Sequence, residues 1–202
     1  MEHNVGHYST LVERYAMTTA LLIIDIQNDY FPGGKMELDG CLEAAAAAAR
    51  LLAAFRKQGG ALYHIQHMSV QPNPTFFLPG SVGAEIHQSV APLTGEPVII
   101  KHFPSSFQQT GLLERLKNDN VDSLLICGMM SHMCVDTTVR TAFELGFSSI
   151  VAHDACATRQ LVFNGITVPA AQVHASYMAA LGSVFAKVIQ VDEILDNMAT
   201  RL

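Results

Sequence analysis

The sequence predicts one three-layer α/β/α domain around a six-stranded parallel sheet. Three observations carry that expectation. Short, unbroken apolar runs recur along the chain, as in strands buried on both faces. Stretches with helical composition separate these runs, and two of them stop at glycine. No internal repeat or linker interrupts the alternation, which is the pattern of a parallel sheet covered by helices on both faces. The expected strand order is 3-2-1-4-5-6.

The elements follow in order. Residues 1–16 are polar, contain histidine and lack periodicity, so they read as an N-terminal extension preceding a domain over 17–202. The run Ala20 to Ile24, closing on Asp25, is the first strand. A turn-rich loop with Asn28, Asp29, Pro32, Gly33 and Gly34 comes next. Residues 41–57 are rich in alanine and leucine and reach Gly59-Gly60, which predicts a helix. Residues 61–66 form the second strand, and a Pro/Gly-rich segment of residues 68–97 follows. A loop of that length in a compact domain is usually functional. Residues 98–100 make a short strand ending at Lys101, residues 110–118 a short helix, and residues 123–127 another buried strand. Residues 134–145 are helical and stop at Gly146. Residues 149–153 are the fifth strand, 167–181 a helix, 186–190 the sixth strand, and a short helix closes the chain.

Composition narrows the function classes. A chain of 202 residues suits one domain with a full core. Half of it is hydrophobic and 15% is charged, which fits a globular protein that hides further surface in a homo-oligomer, a dimer or tetramer. A net charge of -6 without basic runs gives no footprint for nucleic acid or a membrane surface. The expected partner is a small-molecule substrate. Cys41, Cys127, Cys134 and Cys156 are scattered, with no C-x-x-C pair, so neither a zinc framework nor a disulfide framework is expected. A reducing, cytoplasmic location follows. No stretch reads as a signal peptide or a transmembrane span.

Ligands of such sheets bind beyond the carboxyl ends of the strands. The first strand ends in Asp25, the third runs into Lys101, and the fourth runs through Gly128-Met129-Met130-Ser131-His132-Met133 into Cys134 at a helix start. An acid, an amine and a thiol therefore leave one sheet edge. A helix N-terminus and a nearby ammonium both favour a thiolate. Asp25 is suited to take the thiol proton and pass it to a leaving amine. Taken singly, each residue has a plainer reading: packing for the cysteine, a loop cap for Asp25, a solvated strand end for Lys101. Their shared edge raises the functional one.

Three motifs then resemble those of isochorismatase-like cysteine hydrolases. Asp25-Ile26-Gln27-Asn28-Asp29-Tyr30 resembles D-x-Q-x-D-[FY]. Lys101 with Ser105-Ser106-Phe107 is similar to K-x-x-x-S-x-F. Gly128 to Thr138, with Cys134-Val135 inside it, is similar to G-x-x-[ST]-x-x-C-V-x-x-T. The resemblance implies an Asp25-Lys101-Cys134 triad and a non-proline cis peptide at Met129–Met130. It also implies an oxyanion hole from the N–H groups of Met130 and Cys134. The family's substrates are small amides, carbamoyl compounds and nicotinamide, or vinyl ethers.

Departures sharpen this. Nicotinamidases of the family carry a D-x-H metal motif after the second strand, where this chain has Tyr63-His64-Ile65-Gln66-His67. His64 and His67 are three apart and face opposite sides of a strand. No metal and no cofactor are expected, and His64 reads as a core histidine bonded to backbone. Pocket residues are expected at Gln27, Phe31, His67, Phe77 and His132, with Asp154 bracing the cis-peptide turn. The resulting function is metal-independent hydrolysis of a small amide or carbamoyl C–N bond through a cysteine thioester. The alternatives are vinyl ether hydrolysis using Asp25 without covalent catalysis, and a non-catalytic binding role.

Overall fold

The strands of the central sheet are all parallel and lie in the order β3-β2-β1-β4-β5-β8. They belong to a computed structural model that describes residues 18–199. The extension over 1–16 lies outside the described residues. The elements are β1 (Thr19–Ile24), α1 (Cys41–Gln58), β2 (Leu62–His67), β3 (Val98–Lys101), α2 (Leu112–Asn118), β4 (Ser123–Met129), α3 (Asp136–Glu144), β5 (Ser148–Ala157), β6 (Leu161–Phe163), β7 (Ile166–Val168), α4 (Ala170–Val184), β8 (Lys187–Ile189) and α5 (Val191–Ala199).

The observed sheet is the expected one, with β8 in the sixth position. Its label differs because a hairpin, β6–β7, intervenes. The signal for that hairpin is Asn164-Gly165 between two short apolar runs, and both residues have positive φ, 50° and 77°. The fifth strand runs four residues past its expected end at His153, to Ala157. Helix α4 begins at Ala170 rather than 167, because β7 and Pro169 precede it.

Two apolar cores sandwich the sheet. One holds Leu21, Ile23, Leu125 and Cys127 against α1 and against Val191 and Ile194 of α5. The other holds Leu22, Ile24, Ile65, Ile99 and Ile126 against Leu112, Val139 and Leu181 of α2, α3 and α4. Adjacent residues of β1 and β4 thus serve opposite cores, which explains why these strands are apolar without alternation.

The sheet edge that carries the chemistry is shaped by two irregularities. Between Ile126 and Gly128 of β4, the partner strand advances from Val151 to Cys156, a bulge-like shift of register. Asp154 lies on this bulge, and its Oδ1 accepts a hydrogen bond from Val191 N at 2.9 Å. It therefore caps α5 rather than bracing the turn at Met129–Met130, correcting the expectation. Gly128 has φ +133°, and a Cβ there would stand 2.0 Å from the Ile24 carbonyl oxygen. Only glycine lets β4 pass β1 this closely just before the turn that carries Cys134. Gly128→Ala is expected to cost about 2 kcal/mol or more, read by urea unfolding; an unchanged midpoint would contradict this packing.

Candidate active site

Asp25, Lys101 and Cys134 converge at the carboxyl ends of β1, β3 and β4. Asp25 is the first residue beyond β1 and has φ +50°. Its N–H donates to Ile65 O at 3.0 Å and its carbonyl accepts from Gln27 N at 3.0 Å. Lys101 ends β3 in register with His67 of β2, so parallel pairing sets the two side by side. Cys134 lies in a π-helical turn, Ser131–Val135, between β4 and α3. The expected helix start is thus a wider turn, in which Met133 N and Val135 N both donate to Met130 O. The Met129–Met130 peptide is cis.

The Lys101 ammonium is the hub. Nζ lies 2.8 Å from Asp25 Oδ2, 3.2 Å from Cys134 Sγ and 3.1 Å from His67 Nδ1. It also donates to the carbonyls of Phe103 at 3.0 Å and Pro104 at 3.3 Å. Lys101 and Asp25 are fully buried. Asp25 Oδ1 has no hydrogen-bond partner among the described residues, so it is free to take a proton. Asp25, His67 and Cys134 each bring one metal-ligating atom within 4.8 Å of the others. The ammonium contacts all three residues, so a cation already stands where a metal would sit.

Electrostatics set the resting state. Burial disfavours a charged Lys101, but the adjacent Asp25 and Cys134 outweigh that and raise its pKa. The Cys134 thiol is pushed up by burial and by the Asp25 charge, with Lys101 opposing. At neutral pH the resting site therefore holds Lys101 as an ammonium and Cys134 as a neutral thiol. This corrects the expectation of a lowered thiol pKa: burial and the Asp25 charge outweigh the ammonium. His67 is lowered to about 4, chiefly by burial, so its ring is neutral.

The motif residues around the trio hold it in place. Gln27 is fully buried; its Nε2 donates to His67 O at 2.9 Å and Ala84 O at 2.7 Å, and its Oε1 accepts from His67 N at 2.7 Å. Both amide donors are spent on backbone, so Gln27 is a clamp on β2 rather than the expected substrate contact. Asp29 accepts from Phe77 N at 2.6 Å and Lys35 N at 3.2 Å, and a Cβ on Gly83 would collide with its carboxylate. It organises the long loop over 68–97. Ser106 bonds Thr138 Oγ1 through both N and Oγ at 3.0 Å, and Ser105 Oγ donates to Thr141 Oγ1 at 3.3 Å. The loop that offers carbonyls to Lys101 is thereby tied to α3.

The other expected pocket residues divide. Phe77 is buried with φ +55°, packs edge-on against Tyr30 with ring centroids 4.7 Å apart, and flanks the His67 ring at 5.9 Å. Phe31 is buried and stacks on His87 at 3.7 Å, so it serves loop packing. His132 binds Thr158 Oγ1 through Nδ1 and meets the edge of Tyr177. His64 is buried on Glu96 Oε2 at 3.0 Å, a side-chain partner rather than the expected backbone one. Sequence reasoning gave no site role to four residues. The Phe103 and Pro104 carbonyls carry no side-chain signal. Ser131, bonded to Ala157 O and His174 Nδ1, depends on a residue 43 positions away. Tyr30 is buried near enough that Cys134 and Asp25 raise its hydroxyl pKa, after burial itself.

The resting state makes a prediction with a definite sign. Asp25 raises the thiol pKa, so Asp25→Asn should lower it and increase the thiolate fraction below that pKa. Iodoacetamide should alkylate Cys134 several-fold faster in Asp25→Asn than in the unmodified protein at pH 8. An equal or slower rate would contradict the assigned charges.

Comparison with known proteins agrees with this geometry. The Isochorismatase domain model matches residues 19–193. The chain is 50% identical over 179 residues to the uncharacterized isochorismatase family protein YddQ of Bacillus subtilis, covering 89% of this chain and 99% of that one. It is 35% identical to a streptothricin hydrolase of Streptomyces noursei, covering 81% of this chain and 59% of that one. More distant relatives include a maleamate amidohydrolase of Pseudomonas putida, 29% identical over 69% of this chain and 72% of that one. The solved structure of an isochorismatase from Pseudomonas putida superposes with a TM-score of 0.82 at 38% identity, covering 87% of this chain and 89% of that one. The chain belongs to the isochorismatase family of hydrolases.

Proposed function

We propose that the protein hydrolyses a small amide or carbamoyl-type C–N bond through a thioester on Cys134, without a metal. The observation that carries this reading is the fully buried Lys101 ammonium in contact with both the Asp25 carboxylate and the Cys134 sulfur. A relative named for amide hydrolysis, maleamate amidohydrolase, supports the bond class.

The proposed steps follow from the resting charges. Asp25 accepts the thiol proton as Cys134 Sγ attacks the substrate carbonyl carbon. Lys101 stays charged and stabilises the forming thiolate, which removes the penalty that keeps the thiol neutral at rest. The carbonyl oxygen becomes an oxyanion, and we assign its donors as the N–H groups of Met130 and Cys134. Asp25 returns the proton to the leaving nitrogen, the C–N bond breaks, and an acyl thioester remains. A water then gives its proton to Asp25 and attacks the thioester, releasing the carboxylic acid and restoring the thiol.

His67, Phe77 and His132 are assigned to the substrate pocket. A homo-oligomer, dimer or tetramer, belongs to the same reading, supported by the exposed Val162, Phe163 and Ile166 on the β6–β7 hairpin. A cytoplasmic location is supported by four free, buried cysteines. Among the described residues, no helix is long and apolar enough to cross a membrane.

One observation favours a second reading. The thiol is neutral at rest, so Asp25 and Lys101 form a complete acid–base pair without it, as vinyl ether hydrolysis requires. Kinetics of two variants separate the readings. Under the thioester mechanism, Cys134→Ala and Asp25→Asn each lower kcat by about a thousand-fold or more. Full turnover in Cys134→Ala, with loss in Asp25→Asn, would sink the thioester and favour the vinyl ether reaction.

A further inference from the structure

The thioester chemistry leaves the second nitrogen of the His67 ring unused. Two constraints fix that ring. Gln27 grips the His67 backbone on both its N–H and its carbonyl, at 2.7 and 2.9 Å. Phe77 flanks the ring, with centroids 5.9 Å apart and planes tilted by 38°. Nδ1 faces the Lys101 ammonium at 3.1 Å.

An ammonium has three donors and no lone pair, so Nδ1 must be the acceptor in this contact. In a neutral imidazole the proton then resides on Nε2. Burial and the neighbouring Lys101 charge keep the ring neutral, with a pKa of about 4. Nε2 has no hydrogen-bond partner among the described residues, and the ring is only partly buried. The result is a donor of fixed tautomer on a ring whose other nitrogen contacts Lys101. Lys101 decides which nitrogen carries the hydrogen, and Gln27 decides where it sits.

We propose that His67 Nε2–H is a specificity-determining donor that selects amides carrying a second hydrogen-bond acceptor, such as a carboxylate oxygen or a ring nitrogen, close to the scissile carbonyl. This rests on the amide-hydrolase reading, in which the scissile carbonyl oxygen itself goes to the Met130 and Cys134 N–H groups. A donor-only group rewards an acceptor and penalises an apolar substituent, which would bury the N–H unpaired. Sites built to hydrogen-bond a substrate group reject analogues that lack it far better than apolar pockets reject a methylene. A neutral donor also accepts charged and uncharged acceptors alike, so the selected class is defined by the acceptor and not by net charge.

The test uses two matched pairs of small amides: maleamate against cis-2-butenamide, and nicotinamide against benzamide. Each pair differs chiefly in the acceptor. Two readouts apply to the full-length protein: turnover, and protection of Cys134 from iodoacetamide. The native protein should prefer the acceptor-bearing member of at least one pair by roughly 10-fold or more. His67→Phe should reduce that preference to within about threefold. His67→Asn restores an acceptor near Nδ1 for Lys101 but supplies no donor at Nε2, so it should lose the preference too. His67→Gln returns an N–H near Nε2 and should keep part of it. If His67 only positions Lys101, the Asn variant would behave like the native protein, and that result overturns the proposal. So does a native protein that shows no preference in either readout. Cys134→Ala separates this claim from the chemistry. Full turnover in that variant would defeat the thioester reading, while the ligand preference would remain measurable by equilibrium binding.

Discussion

A single buried cation organises this molecule's functional edge. The Lys101 ammonium sits with no solvent exposure among a carboxylate, a thiol, an imidazole and two loop carbonyls. Moving an ammonium and a carboxylate out of water is costly, and the loss is recovered only when geometry and hydrogen bonding are good. Removing either partner would strand the other, a loss of about 3–5 kcal/mol. Everything that approaches Lys101 must therefore be held to a fixed place, and much of the surrounding structure does that holding. Gln27 fixes the end of β2. Ser105 and Ser106 tie the Phe103-Pro104 loop to Thr141 and Thr138 of α3. Asp29 fixes the long loop through Phe77.

Under the proposed thioester mechanism, the same cation explains why the thiol can be both inert at rest and competent in turnover. At rest, burial and Asp25 keep Cys134 protonated. Once the proton moves to Asp25, the negative charge that opposed ionisation is gone, and Lys101 faces a lone thiolate. The proton transfer is internal, so the site keeps its net charge while relocating it from oxygen to sulfur. Such an exchange suits a buried site, where bringing in or expelling a charge would be expensive.

Much of this was legible in the sequence. The apolar runs gave the strands, and the position of Asp25, Lys101 and Cys134 at strand ends brought them to one edge. The three motifs added the cis peptide at Met129–Met130, which no local pattern in the chain announces. Other features were not legible for physical reasons. The resting charge of Cys134 depends on burial, and a linear sequence shows proximity to a helix start but not the depth of the thiol. Gln27 was read as a substrate contact; only the fold reveals that His67 and Ala84, 40 and 57 positions away, consume its amide. Asp154 was misassigned because the β5 bulge turns it toward α5, and a bulge is a matter of register between strands. The β6–β7 hairpin did have a local signal, Asn164-Gly165, that the alternation of strand and helix obscured.

The proposed mechanism turns on a covalent bond at one sulfur. Mass spectrometry of the full-length protein, acid-quenched during turnover of an amide that it hydrolyses, reads that bond directly. The account predicts that the peptide containing Cys134 carries the added mass of the substrate's acyl group, and that the Cys127 and Cys156 peptides do not. Rapid-quench samples across the first turnovers that accumulate the carboxylic acid product while Cys134 stays unmodified would contradict it.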